Sequence, residues 1–260
     1  MPAFLKRLLP TARKPALPDE LLVNERRVPL QVREHPTARR IVLRIAPGGG
    51  GVRLTVPRRT ARATILDFLE RHRGWMEERL GPAPSHVADG AFLPFRGGSL
   101  LVRHDPARRL ARLDPPAGEG EPWRLHVGGE AAHTARRVAD ALKREARRDL
   151  EAAVERHAMA LGLRPRALSL KDTTSRWGSC TADRRLSFSW RIVMAPPFVL
   201  DYLVAHEMAH LREMNHGPGF WALCRELCPG MDAGRDWLRR EGASLHAWRF
   251  SPAEPCQNAA

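Results

Sequence analysis

Three histidines fall within the eleven residues HEMAHLREMNH, at positions 206, 210 and 216, and they restrict this chain more than any other stretch. A helix turns about 100° per residue, so positions four apart are offset by only about 40° and His206 and His210 point the same way. Two imidazoles so placed can share one tetrahedral metal. For His216 to join them, the chain must leave the helix and swing back within six residues. Asn215, Gly217 and Pro218 are residues that end helices and permit turns. Three His ligands with one position left open are the arrangement of a catalytic rather than a structural zinc. Glu207 lies on the border of the same face, the geometry of a general base that is not itself a ligand.

With 11 His and 17 Glu in 260 residues, random placement gives H-E-x-x-H about 0.03 times per chain, and requiring His216 lowers this to on the order of 0.001. The pattern therefore outweighs a reading as unrelated surface rings. A second ligand set is a thermolysin-like one, completed by a glutamate on the following helix. Glu226, sixteen residues after His210 in FWALCREL, is the nearby candidate. The reversal around His216 favours the histidine, because Glu226 falls among residues spaced as an ordinary amphipathic helix.

With 43% hydrophobic and 28% charged residues over 260 positions, the chain reads as globular. No apolar run approaches the roughly 18 residues that cross a bilayer, which points to a soluble protein with no membrane partner. The opening MPAFLKRLLPTARKPALP has apolar stretches of two to four residues and no cleavage site, so it reads as a disordered basic tail over 1–18 and not as a secretory signal. An organellar transit peptide is the lesser reading of the same residues. Four scattered cysteines do not make a disulfide scaffold, so a reducing cytoplasm is expected.

The net charge of +14 lies entirely in the first 200 residues, which hold 37 basic against 21 acidic side chains. Residues 201–260 hold 6 against 8. Only four of the 43 basic residues are lysine, which marks part of the bias as compositional. A nucleic-acid partner is an alternative to a merely solvated basic surface. Oligomeric state is not readable.

The spacing predicts an extended segment over Leu21 to Glu34, and two strands in ARRIVLRIAPGGGGVRLTVPRR joined at the glycine run. A helix follows from an N-cap at Thr60 through Leu80 and is stopped by Gly81-Pro82. Short β-type runs fill Gly90 to Val127. A long helix over 131–161 carries one apolar stripe through Val138, Leu142, Ala146, Leu150, Ala153 and Val154 and ends at Gly162. A strand at Ala167 to Lys171, a strand LSFSWRIV at Leu186 to Val193 and a helix at Phe198 to Arg212 complete the reading. The expected organisation is a strand-rich N-terminal unit over 19–129, a catalytic domain over 130–250 and a C-terminal tail over 251–260.

The SRWGSC stretch from Ser175 to Cys180, the strand LSFSWRIV, the helix DYLVAHEMAHL and the turn NHGPGFW, in this order and spacing, resemble the YgjP-like metallopeptidase family. That family is related more distantly to SprT-like and WLM-type zinc proteases. The diagnostic part spans Ser175 to Trp237. The resemblance implies an α+β fold with a zincin-like C-terminal domain, in which the strand before the active-site helix forms a sheet edge for an extended peptide substrate. It assigns one Zn2+ per chain to His206, His210 and His216, and a zinc metalloendopeptidase's catalytic base to Glu207. The SprT-like kinship adds a nucleic-acid-associated protease as the alternative. Ser189 stands where the family usually has Asn, which leaves any specific polar role of that side chain open. Glu213 replaces the metzincin glycine, which disfavours that clan. The intact Glu207 argues against a non-catalytic zinc module.

Two residues are candidate substrate contacts. Tyr202, one turn before His206, could hydrogen-bond near the metal, although core packing is the stronger reading. Arg176 could meet a substrate carbonyl or carboxylate, or equally orient its own loop. Trp177, Trp190, Cys180, Cys224 and Cys228 read as packing residues.

Overall fold

The computed structural model describes residues 17–46, 50–80 and 85–251. These fall into two units, one of residues 17–46 with 50–80 and one of residues 85–251.

In the first unit, β1 (Glu20–Val23) and β2 (Arg26–His35) form a hairpin. Its two turn residues, Asn24 and Glu25, have φ of 50° and 58°, the left-handed pair whose twist matches that of the flanking strands. β3 (Val42–Ile45) and β4 (Val52–Pro57) pair antiparallel, as the two-strand reading expects, in a sheet of order β1-β2-β4-β3. Most of the joining glycine run lies outside the described residues. Val52, Leu54 and Val56 alternate inward on β4 and meet Ile65, Leu69, Met76 and Leu80.

Those last four come from two helices, α1 (Arg62–Arg71) and α2 (Arg73–Leu80), where the sequence predicts one. His72 breaks the helix with φ −104° and ψ 13°, and its ring Nδ1 donates to the Phe68 carbonyl at 2.7 Å. Thr60 is not the N-cap either: its hydroxyl donates back to Pro57 O at 2.7 Å and the cap position falls on Ala61. The predicted stop at Gly81-Pro82 lies outside the described residues, as does the basic tail up to residue 16. Leu17, the first described residue, packs against this unit's core.

The second unit opens with the short β5 (Ser85–His86). A four-stranded sheet follows, with β6 (Phe92–Phe95), β7 (Gly98–His104), β8 (Arg112–Asp114) and β9 (Trp123–Val127) in the order β6-β7-β9-β8. The long helix α3 (Thr134–Leu161) buries the predicted stripe and ends at Gly162, whose φ of 71° is the left-handed cap that glycine adopts without steric cost. Burial of Val138, Leu142 and Leu150, at roughly 1.5–3 kcal/mol each, outweighs helix propensity in holding α3.

Val102, Leu125 and Val127 from the sheet share one core with that stripe and with Val204 and Met208 farther along the chain. The sequence reading cuts the chain at 129/130, where strand-type runs give way to a long helix, whereas the packing divides it before β5 because this core runs straight across the expected boundary.

A three-stranded sheet of β10 (Ala167–Lys171), β11 (Gly178–Cys180) and β12 (Arg185–Ser189) has the order β10-β12-β11. β12 stops at Ser189, short of the expected Val193, because Trp190–Met194 turns into a 3-10 helix. β12 is also the central strand and not the sheet edge that the resemblance implies. The edge strands are β10 and β11. Helices α4 (Pro197–Ala209), α5 (Pro218–Leu227) and α6 (Met231–Glu241) follow, and β13 (Trp248–Arg249) pairs with β5. The architecture is α+β, with several small sheets and six helices among the described residues. None of those helices is long and apolar enough to cross a membrane.

Candidate metal centre

Helix α4 is apolar on most of its circumference, which is the pattern of a helix buried on several sides. Val199, Leu200, Leu203, Val204 and Met208 belong to the main core, while Tyr202, Ala205 and Ala209 join a second cluster with Phe220, Cys224 and Met231 of α5 and α6. His206 and His210 lie on the remaining strip, partly exposed. The helix ends at Ala209, three residues before the expected Arg212, so His210 occupies the C-cap.

The reversal predicted after it is present. The Gly217 amide donates to Asn215 O at 2.7 Å and Pro218 starts α5. His216 is thereby turned toward the other two rings, with centroids 5.1 Å from His206 and 4.8 Å from His210. The ligating atoms of all three lie within 4.8 Å of one another.

The donor set fits a metal ion in three ways. First, His206 Nε2 and His216 Nε2 are 3.1 Å apart, close to the roughly 3.3 Å between two nitrogens held about 2.05 Å from a tetrahedral zinc. Second, His210 Nδ1 lies 3.0 Å from Glu213 O; a carbonyl only accepts, so Nδ1 carries the hydrogen and the lone pair of Nε2 faces the site. Third, burial and the neighbouring rings lower the pKa of His206 to about 4. Burial likewise lowers that of His210, against the Glu213 hydrogen bond. Neutral rings are what metal binding requires.

Phe220, fully buried, floors the group, its ring 4.9, 4.6 and 4.6 Å from His206, His210 and His216. Trp221 stacks on His216 at 5.6 Å with Arg235 over its outer face. In the sequence Phe220 has the spacing of an ordinary core residue and Trp221 carries no motif of its own. The available signal was their place directly after the NHGPG turn.

Glu207 is 4% exposed, and burial raises its pKa to about 7, against the pull of Arg176. Its neighbour is β11: a Cβ on Gly178 would fall 2.5 Å from Glu207 Oε1, so only glycine fits there. This is the role of the glycine in SRWGSC. Cys180, on the same strand, has its thiol pushed up to about 11, first by burial and then by Glu207 and Asp183, which makes it unreactive.

The exposed Arg176 is close enough to act electrostatically on Glu207. Tyr202 stands differently. It is 6% exposed within the α5–α6 cluster, its ring 5.9 Å from His206, and burial pushes its hydroxyl up to about 12. Tyr202 thus packs edge-on against His206 from within that cluster. Glu226 is exposed on α5 and outside the histidine group.

Trp177, directly before β11, stacks on His246 at 4.8 Å. His246 is buried, which lowers its pKa to about 4. Below about pH 6.5 the unfolded chain gains a proton there that the folded chain refuses, so stability falls as pH drops from 6.5 toward 4. Over that window His246 should account for about 3 kcal/mol of lost stability, with the folded pKa at about 4. His246→Phe keeps the stack and removes the titration. Urea unfolding at pH 7 and pH 4 should show a smaller acid loss in that variant, and an equal loss would refute the assignment.

The YgjP-like, metallopeptidase domain family matches residues 39–241. The chain belongs to this family. Membership supports a hydrolase acting on peptide bonds and implies a bound metal, typically zinc, for which the three histidines are the one such group among the described residues. Comparisons with curated proteins and with solved structures gave no match.

Proposed function

We propose that this chain is a zinc-dependent peptidase in which His206, His210 and His216 hold the metal and Glu207 is the general base. The observation that carries the reading is the buried Glu207, next in the chain to His206, whose imidazole converges with those of His210 and His216. When bound, zinc would lower the pKa of a coordinated water and polarise the scissile carbonyl.

The chain's own residues do the rest. Glu207, with a pKa near 7, accepts a proton from the attacking water and delivers it to the leaving amine. Gly178 leaves the carboxylate room on the β11 side, and Arg176 keeps part of its population ionised. The edge of β11, next to Glu207, is where an extended peptide main chain would pair. A zincin-like arrangement follows from these assignments, with internal cleavage as the expected mode.

Three His ligands suit zinc and predict about one zinc per chain. Elemental analysis of purified protein, followed by zinc titration of chelator-treated protein, measures this. A chain that holds no metal and takes up none would overturn the assignment.

A further inference from the structure

On α3 most basic side chains have acidic partners: Lys143 pairs with Asp140, Arg147 with Glu151, Arg148 with Glu145 and Arg156 with Asp201. Arg136, Arg137 and Arg144 do not. Among the described residues no carboxylate lies within ion-pair distance of them or of Arg109. These four arginines line one cleft of about 560 Å³ between the start of α3 and the chain leading into β8, together with Asp140, whose carboxylate is paired with Lys143 and whose carbonyl accepts from Arg144 at 3.3 Å. Arg137 lies so close to the backbone that a Cβ on Gly129 would fall 2.6 Å from its Nη2, and its Nε is buried without a hydrogen-bond partner. Such a charge is held in place and uncompensated.

The cleft shares Ala111 and Arg144 with a second of about 530 Å³ whose lining includes Trp123, Leu113, Leu125 and Glu145, with Arg96 over one face of the Trp123 ring at 5.3 Å. From Arg136 to Arg148 the helix wall is about 18 Å long. At the far end Arg96 is neutralised by Asp149 and Glu145. The groove therefore has a cationic end, beside an aromatic and aliphatic floor.

We infer that this groove binds single-stranded nucleic acid, with Arg109, Arg136, Arg137 and Arg144 on phosphates and the Trp123 floor under the bases. Phosphodiesters place a charge at every repeat, which arginine forks match, and bases supply flat apolar faces for the floor. Each lobe has the volume of a small-ligand pocket, too small to enclose a duplex. The inference does not depend on the peptidase reading.

The test uses the full chain and a labelled oligothymidylate, with binding followed by fluorescence anisotropy between about 50 and 200 mM salt. One variant carries Arg109→Gln, Arg136→Gln and Arg144→Gln together, leaving the packed Arg137 intact. The control carries Arg103→Gln, Arg166→Gln and Arg240→Gln, three exposed arginines outside the groove. Groove variants should weaken binding at least about tenfold and reduce the salt slope by about two, at about 0.7 per lost phosphate contact. The control should change affinity less than about threefold. Equal losses in the two variants, no binding at low salt, or equally effective displacement by polyglutamate would overturn the proposal. Circular dichroism and zinc content of each variant ensure that a lost fold is not read as a lost contact.

Discussion

Glu207→Gln should bind zinc and fold as the parent does while peptide hydrolysis falls by about 10²–10⁴-fold, the range set by loss of a positioned general base. The amide has the shape of the carboxylate, which matters because the clearance to Gly178 admits no larger group. It is also neutral, and burial already favours the neutral form of this side chain, so stability should not suffer. What the amide lacks is the ability to accept a proton. Zinc stoichiometry, thermal midpoint and turnover of a quenched peptide library, measured together, separate the outcomes. Turnover undiminished in a zinc-loaded variant would mean that Glu207 is not the base. A fall in zinc content with turnover would make it part of the metal shell.

Much of the site could be read from the chain because helical periodicity is a local property. The offset of about 40° between His206 and His210 follows from geometry alone, and the Asn-His-Gly-Pro run announces its own reversal. The apolar stripe of α3 was legible for the same reason. What was hidden depends on distant pairing. Nothing local reveals that β11 covers the far side of β12, so the strand before α4 reads as an edge when it is central. Phe220 has the spacing of any core residue, and only the fold brings it under three imidazoles from two segments. The domain boundary failed similarly. The pattern switches from short strands to a long helix near 129, but the hydrophobic core, which defines a unit, joins strands and helices from both sides.

His216→Ala should weaken zinc binding by orders of magnitude, while Glu226→Ala should leave it nearly unchanged, when both are measured by competition with a chelator. The contrast comes from position. His216 Nε2 stands 3.1 Å from His206 Nε2, at the separation two ligands of one ion require. Removing it leaves two protein ligands, one on α4 and one at its C-cap, where three are needed to hold the metal tightly. Its ring is also stacked by Trp221 and floored by Phe220, so little conformational freedom is lost when it ligates. Glu226 lies on the exposed face of α5, where an alanine is a good helix former and the lost carboxylate was solvated. His216→Ala should not unfold the chain, because His216 is itself exposed. A chelator midpoint that shifts for Glu226→Ala and not for His216→Ala would require the third ligand to come from α5, and with it a rearrangement of the turn at Asn215 that the present geometry does not contain.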